Sequence, residues 1–285
     1  MMVSFVKQAG LVLNCARIIL WPAIYLNTVA VSLFSTSASF SHASLIAISL
    51  CCVASYGFLI NDCKDVSVDR INGSNRLENA GKKQILFVWR ASFVLLVIAL
   101  ILSLPLGLSG LASIILVSLG LTVYTFYARK RLVFATVLAA ILSSTPLWIA
   151  NFVFNSSLTL IKMGIIGIAV LLLMGREIIF DVGDIKGDSY GKRRTFATVF
   201  SKNLAINLAI SLNLFGGGLL CFLLLLDTNT ASPFFAWFSV GLFCWLVFWP
   251  LFKLKNNMEQ PGSIEFFTKQ SRLAMLLLPL FWIIF

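Results

Sequence analysis

The chain has 285 residues, of which 59% are hydrophobic and only 12% charged, with a formal charge of +11. A soluble globular domain carries about a quarter charged residues, so this composition excludes one and describes an integral membrane protein. The basic residues fall in short segments between apolar runs, which is the placement of a topology signal and not of a nucleic-acid surface, so no nucleic acid is expected as a partner.

A helix that crosses a bilayer needs about 20 mostly apolar residues. Nine stretches qualify, at about 15–36, 43–61, 86–104, 108–127, 132–154, 159–180, 204–226, 233–252 and 271–285, the last completed by tilt or an earlier start. The connections after the second, fourth, sixth and eighth spans, with the N-terminal segment and the span ends that meet them, hold the lysines and arginines apart from Lys162. That side is therefore cytoplasmic. The six cysteines form no CxxC pair and read as small core residues, and the single histidine, His42, gives little support to a histidine-ligated metal or a histidine base. The expected fold is an all-α integral membrane protein with nine transmembrane helices as two four-helix halves plus a last helix around a central cavity, in one domain over residues 1–285. The expected location is a bacterial inner membrane.

Where the second span ends, at Asn61, three carboxylates arrive at spacings of three and four: Asp62, Asp65 and Asp69. On a helix these share one face. The same spacing returns at Asp181, Asp184 and Asp188, after the sixth span. Parallel repeats related by an axis along the membrane normal bring both sets to the same side. Like charges on one face repel, and hard oxygen ligands without histidine or thiolate favour magnesium as the cation that holds them. An EF-hand is excluded, because its alternating D-x-D-x-D-G pattern is absent.

The stretch Asn61-Asp62-x-x-Asp65-x-x-x-Asp69-Arg70-x-Asn72 resembles the first signature of the UbiA superfamily of intramembrane prenyltransferases. Arg176-Glu177-Ile178-Ile179-Phe180-Asp181-Val182-Gly183-Asp184-Ile185-Lys186-Gly187-Asp188, continuing to Gly191 and Thr195, resembles the second. The resemblance implies Mg2+ held on the diphosphate of an isoprenyl donor and transfer of the prenyl group to an aromatic or other lipophilic acceptor, with the prenyl tail in the lipid bilayer. It assigns Asn61, Asp62 and Asp65 to one metal cluster and Asp181 and Asp184 to another, with Asp69 and Asp188 beside them. Arg70 and the basic run Lys192, Arg193 and Arg194 are placed to grip phosphate, a task suited to arginine. The run Tyr124-Thr125-Phe126-Tyr127-Ala128-Arg129-Lys130-Arg131 resembles the family's element after the fourth span, which implies substrate contacts for Arg129 or Lys130. Asn27, inside the first span, resembles a buried polar residue that faces the acceptor. Tyr56 and Phe180 are the aromatic residues best placed to wall the cavity.

Arg76-Leu77-Glu78-Asn79-Ala80-Gly81 departs from the family's usual segment after the first signature by losing its proline. The Asp-Arg-x-Asn tail is similar to the branch containing the chlorophyll, homogentisate and geranylgeranylglyceryl phosphate enzymes. Two other readings compete: a terpene cyclase on the same scaffold, which needs no acceptor, and a membrane transporter, which would place an ionisable residue near mid-span.

Overall fold

The computed structural model describes residues 2–35, 38–73, 76–77, 79–128, 131–155, 159–226, 233–256, 263–264, 266–267, 269–271 and 273–274. Among these the regular structure is helical: α1 (Met2–Cys15), α2 (Trp21–Ser35), α3 (Phe40–Asn72), α4 (Lys82–Ser103), α5 (Gly107–Phe126), α6 (Leu132–Ser143), α7 (Thr145–Val153), α8 (Leu160–Gly183), α9 (Ile185–Tyr190), α10 (Phe196–Val199), α11 (Lys202–Leu226) and α12 (Pro233–Asn256). Four stretches are long and apolar enough to cross a membrane, or up to six if each of two bent pairs counts as one. One of the four, Lys82–Phe126, doubles back at the 3-10 turn Leu104–Leu106, since the rings of Trp89 on α4 and Phe126 on α5 lie 6.4 Å apart. The expected count of nine is thus not established, and the last expected span lies outside the described residues from position 275 onward.

Helix α3 is the hub, packing against α2, α4 and α5. Its apolar window is 72% buried, whereas that of Lys82–Phe126 is only 17% buried. Val94, Val97 and Ile101 on α4 are more than half exposed, at 58%, 53% and 57%. Apolar surface on that scale belongs against lipid. Ser39 opens α3 as its N-cap, accepting from the His42 amide at 3.4 Å. The helix continues eleven residues past the end expected from hydropathy, through the whole first acidic motif.

The first span is broken. Between α1 and α2 the backbone turns at Arg17, whose φ of 51° is left-handed, and the two segments bend by 40°. The carbonyl of Ala16 that the break frees accepts a hydrogen bond from Ser55 Oγ of α3 at 2.9 Å, and Ser55 Oγ accepts in turn from Trp21 Nε1 at 2.9 Å. In a bilayer a broken helix must find such partners, because no water is there to replace them. A second break, of 62°, separates α6 from α7 at the Ser144-Thr145-Pro146 segment, where proline starts a new helix.

In the second half, α8 packs against α11 and α6, and α11 against α12. The α8–α11 approach depends on Gly175: a Cβ there would lie 2.1 Å from Asn213 Nδ2 and 3.1 Å from the Ala209 carbonyl. Asn213 is buried and its Nδ2 already donates to Ala209 O at 2.7 Å, so swinging aside would break that hydrogen bond. Small residues at such crossings let membrane helices gain van der Waals contact. Gly175→Ala is expected to destabilise the protein by about 1–3 kcal/mol, and Asn213→Ala in the same chain to recover most of that loss. Thermal melts in detergent of the two single variants and the pair check this; an undiminished melting temperature in Gly175→Ala would refute the close approach.

Candidate functional site

On α3 the spacing of three and four does what a helix dictates. Asp62 and Asp65 are buried and Asp69 half-buried on one face, while Lys64, Ser67 and Arg70 are exposed. The second motif is built differently. Asp181 lies in the last turn of α8, Asp184 stands at the break after Gly183 with φ −100° and ψ 8°, and Asp188 is buried on α9. The same spacing is therefore spread over two helices.

The two sets meet. Asn72, at the end of α3, donates from Nδ2 to Asp184 Oδ1 at 3.3 Å and accepts at Oδ1 from the Gly187 amide at 2.6 Å. Gly187 permits this contact, because a Cβ would sit 2.5 Å from Asn72 Nδ2 and 2.6 Å from the Val68 carbonyl. Asp69 is within electrostatic reach of Asp62 on its own helix and Asp184 on the other side.

Between the carboxylates stand arginines. Arg17 Nη2 donates to Asp62 Oδ1 at 3.0 Å, with its guanidinium 4.3 Å from the centre of the Phe58 ring. Ser55, Phe58 and Asp62 recur at i, i+3 and i+7 of α3, so one helix face caps the break, stacks the arginine and pairs with it. Arg76 Nη1 lies 3.9 Å from Asp62 Oδ2. Arg193 Nη2 pairs with Asp65 Oδ1, and its Nη1 with Asp188 Oδ1 at 3.2 Å. Tyr124, on α5, lies close enough to Glu177, Asp181, Asp188 and Arg193 to interact electrostatically with each.

Of the residues expected at the site, Asp62, Asp65, Asp69, Asp184 and Asp188 come together through these contacts, and Asp181 joins them beside Tyr124. Asn61 is half-buried in the turn before Asp62, and its Oδ1 has no hydrogen-bond partner among the described residues. Arg70 is exposed, off the carboxylate face. Asn27 is buried within α2 and donates to Ala23 O at 2.7 Å. Arg129 and Lys130 lie outside the described residues. Tyr56 packs in the core of α3, α4 and α5, its hydroxyl 2.9 Å from Thr122 Oγ1, and Phe180 lies under the Arg176 guanidinium at 4.9 Å. Arg17, Asn72 and Tyr124 were absent from the expected site. Asn72 and Tyr124 stand inside the quoted motifs, so their signal was present; the role of Arg17 depends on a contact 45 residues away.

The UbiA prenyltransferase family profile matches residues 19–270. The chain belongs to the UbiA prenyltransferase family. It is 30% identical over 161 residues to digeranylgeranylglyceryl phosphate synthase of Methanosphaera stadtmanae, covering 55% of this chain and 57% of that protein. With the synthase of the same name from Saccharolobus solfataricus it shares 28% identity over 189 residues, 66% of this chain and 64% of the other. The matched region thus spans somewhat under two thirds of the length of each of these relatives. A solved structure of a UbiA homolog from Archaeoglobus fulgidus bound to DMAPP and Mg2+ superposes with a TM-score of 0.69 at 16% identity, covering 94% of this chain and 97% of that one. The fold of this UbiA member is accordingly that of an all-α integral membrane protein.

The contact between Asn72 and the second motif sets a test. Asn72→Ala removes two hydrogen bonds and is expected to cost about 1–3 kcal/mol. Asn72→Asp, of the same shape, replaces the donor facing Asp184 by a like charge and is expected to be less stable still. Melting temperatures at neutral pH in a magnesium-free buffer decide; an Asn72→Asp protein as stable as the original would remove this residue from the junction.

Proposed function

We propose that this protein transfers a prenyl group from an isoprenyl diphosphate to a lipophilic acceptor, working at the cytoplasmic face of the membrane within a single domain of UbiA type. The observation that supports it most is the meeting of the α3 and α8–α9 carboxylates, joined by Asn72 and interleaved with Arg17 and Arg193. Digeranylgeranylglyceryl phosphate synthases among its relatives favour a glyceryl phosphate acceptor over an aromatic one. These relatives are archaeal, so they lend no support to a bacterial inner membrane as the compartment.

The donor set suits magnesium by its chemistry. Its side chains offer only carboxylate and amide oxygens, and Asn61 Oδ1 is a buried acceptor without a partner among the described residues. Among those residues no three acidic, histidine or cysteine side chains converge closely enough to hold a metal as they stand, and arginines are paired with Asp62 and Asp65. Asp62, Asp65 and Asn61 would hold one ion, and Asp181 and Asp184 another. When bound, such ions neutralise the diphosphate and make it a competent leaving group. Arg17 and Arg193, paired with aspartates as they stand, would offer guanidinium forks to phosphate oxygens. Buried aromatic and aliphatic side chains of α3 and its neighbours keep water from the departing prenyl cation.

Asp65→Asn and Asp184→Asn preserve shape while removing one charge each. Each is expected to lower turnover by about a thousandfold or more, some 4 kcal/mol of barrier. The double variant is expected to be scarcely worse than either alone, since both serve one leaving group. Purified protein given an isoprenyl diphosphate, with and without a glyceryl phosphate acceptor, provides the assay; acceptor-independent release of diphosphate with a cyclic product would replace transfer by cyclisation, and full activity of the double variant would remove both. Orientation is tested separately. A Lys186→Cys variant is expected to react with a membrane-impermeant thiol reagent only from the cytoplasmic side, and labelling from outside intact cells would invert the topology.

A further inference from the structure

Arg193 reaches the site by an unusual local route. After α9 the Gly191 amide donates to Gly187 O at 2.8 Å, the Lys192 amide to Ser189 O at 3.2 Å and the Arg193 amide to Asp188 O at 2.9 Å. Lys192 sits at the left-handed position of this C-terminal cap with φ 53°, where glycine is ordinarily preferred. The left-handed residue is a disfavoured conformation for a side chain with a Cβ, and it turns the chain so that Arg193 points back over α9 toward α3. Its guanidinium then contacts Asp65 of the first half with one nitrogen and Asp188 of the second with the other. Side-chain exposure is 14% for Arg193 and 5% and 4% for its partners, so the pairing is shielded from solvent. Arg17 differs in kind, since among the described residues its ion pair is with Asp62, within the first half.

We propose that Arg193 is an exchangeable counter-cation. In the metal-free protein it holds carboxylates of both halves together; it yields Asp65 and Asp188 when a divalent cation and a diphosphate arrive together, the diphosphate giving the guanidinium a new anion. The inference rests on the magnesium-diphosphate reading above and adds a coupling to it. A guanidinium cannot leave by losing its proton, so it leaves buried carboxylates only for another anion, and phosphate oxygens match its planar fork. A divalent cation arriving alone must expel Arg193 from Asp65 and leave it with Asp188 as its one carboxylate of the two. A metal ion accompanied by diphosphate does not. The two ligands therefore help one another, and by linkage the help is mutual.

The test reads metal binding without turnover. Mn2+ is titrated into purified protein in detergent and followed by electron paramagnetic resonance, with no diphosphate present. Arg193→Gln, relieved of the competing cation, is expected to bind Mn2+ about tenfold more tightly than the original protein, whereas its metal-free melting temperature falls and is restored by Mn2+. Arg193→Lys keeps the charge but reaches one carboxylate at a time; it is expected to fold and to lie between the two. Unchanged or weaker Mn2+ affinity in both variants would overturn the inference, because a purely structural or phosphate-gripping arginine leaves the affinity for metal alone unimproved. Absence of Mn2+ binding to the original protein even with inorganic diphosphate present would overturn the metal reading and the inference with it.

Discussion

Carboxylates brought together in a setting poor in water must be compensated, and the rest of this structure is arranged around that requirement. Two unit charges 4 Å apart interact by about 4 kcal/mol even at an effective dielectric of 20. Asp62, Asp65 and Asp188 are each buried, with Asp69 and Asp184 nearby. The repulsion is offset by guanidinium groups delivered from distant parts of the chain, Arg17 from the break in the first span and Arg193 from beyond α9. Removing one partner of such pairs leaves a buried charge exposed to its like neighbours, which costs far more than the intact pair contributes.

Delivering those arginines explains features that hydrophobic packing alone would not select. An unbroken first helix would carry position 17 straight past α3, whereas the left-handed turn at Arg17 stops the chain there and Ser55 takes up the freed Ala16 carbonyl. Lys192 performs the same service in the second half. Strained residues of this kind persist only where their surroundings over-determine them. Both precede or contain an arginine that lands on an aspartate, and this shared outcome argues that the strain serves the charge arrangement.

Much of this was legible in the sequence because it is periodic. Hydropathy marks α3, α8 and α11 by length and composition, and the three-then-four spacing correctly puts Asp62, Asp65 and Asp69 on one face of α3. What is not periodic was not legible. The second span was placed as ending at residue 61 with the acidic motif read as helical beyond it, but where that helix ends, at the Gly73 cap, is set by backbone capping and not by the membrane boundary. The second motif has the first motif's spacing but breaks after Gly183, and nothing in the spacing distinguishes the two. Arg17 was given no place at the acidic site, because its partner is 45 residues away and it reaches that partner from a left-handed turn. Tyr56, nearly two turns before the first acidic residue, points into the packing between α3, α4 and α5, as its hydrogen bond to Thr122 requires.

The unlike construction of the two acidic motifs bears on how one site can both wait and react. On α3 three carboxylates share a single continuous helix, so their relative positions are fixed by backbone hydrogen bonds that do not change with ligation. Across α8 and α9 the chain breaks at Asp184, and the short α9 is held through Asn72, Gly187, the Arg193 bridge and the packing of Ile185 on the core of the second half. A short helix tied by a few polar contacts moves at much lower cost than a 33-residue helix packed on three neighbours. The first half is therefore the fixed jaw of the site and the second the adjustable one. Adjustment is needed on only one side, since a guanidinium that must release one carboxylate from each half can be accommodated by a small rotation of α9 while α3 stays in place.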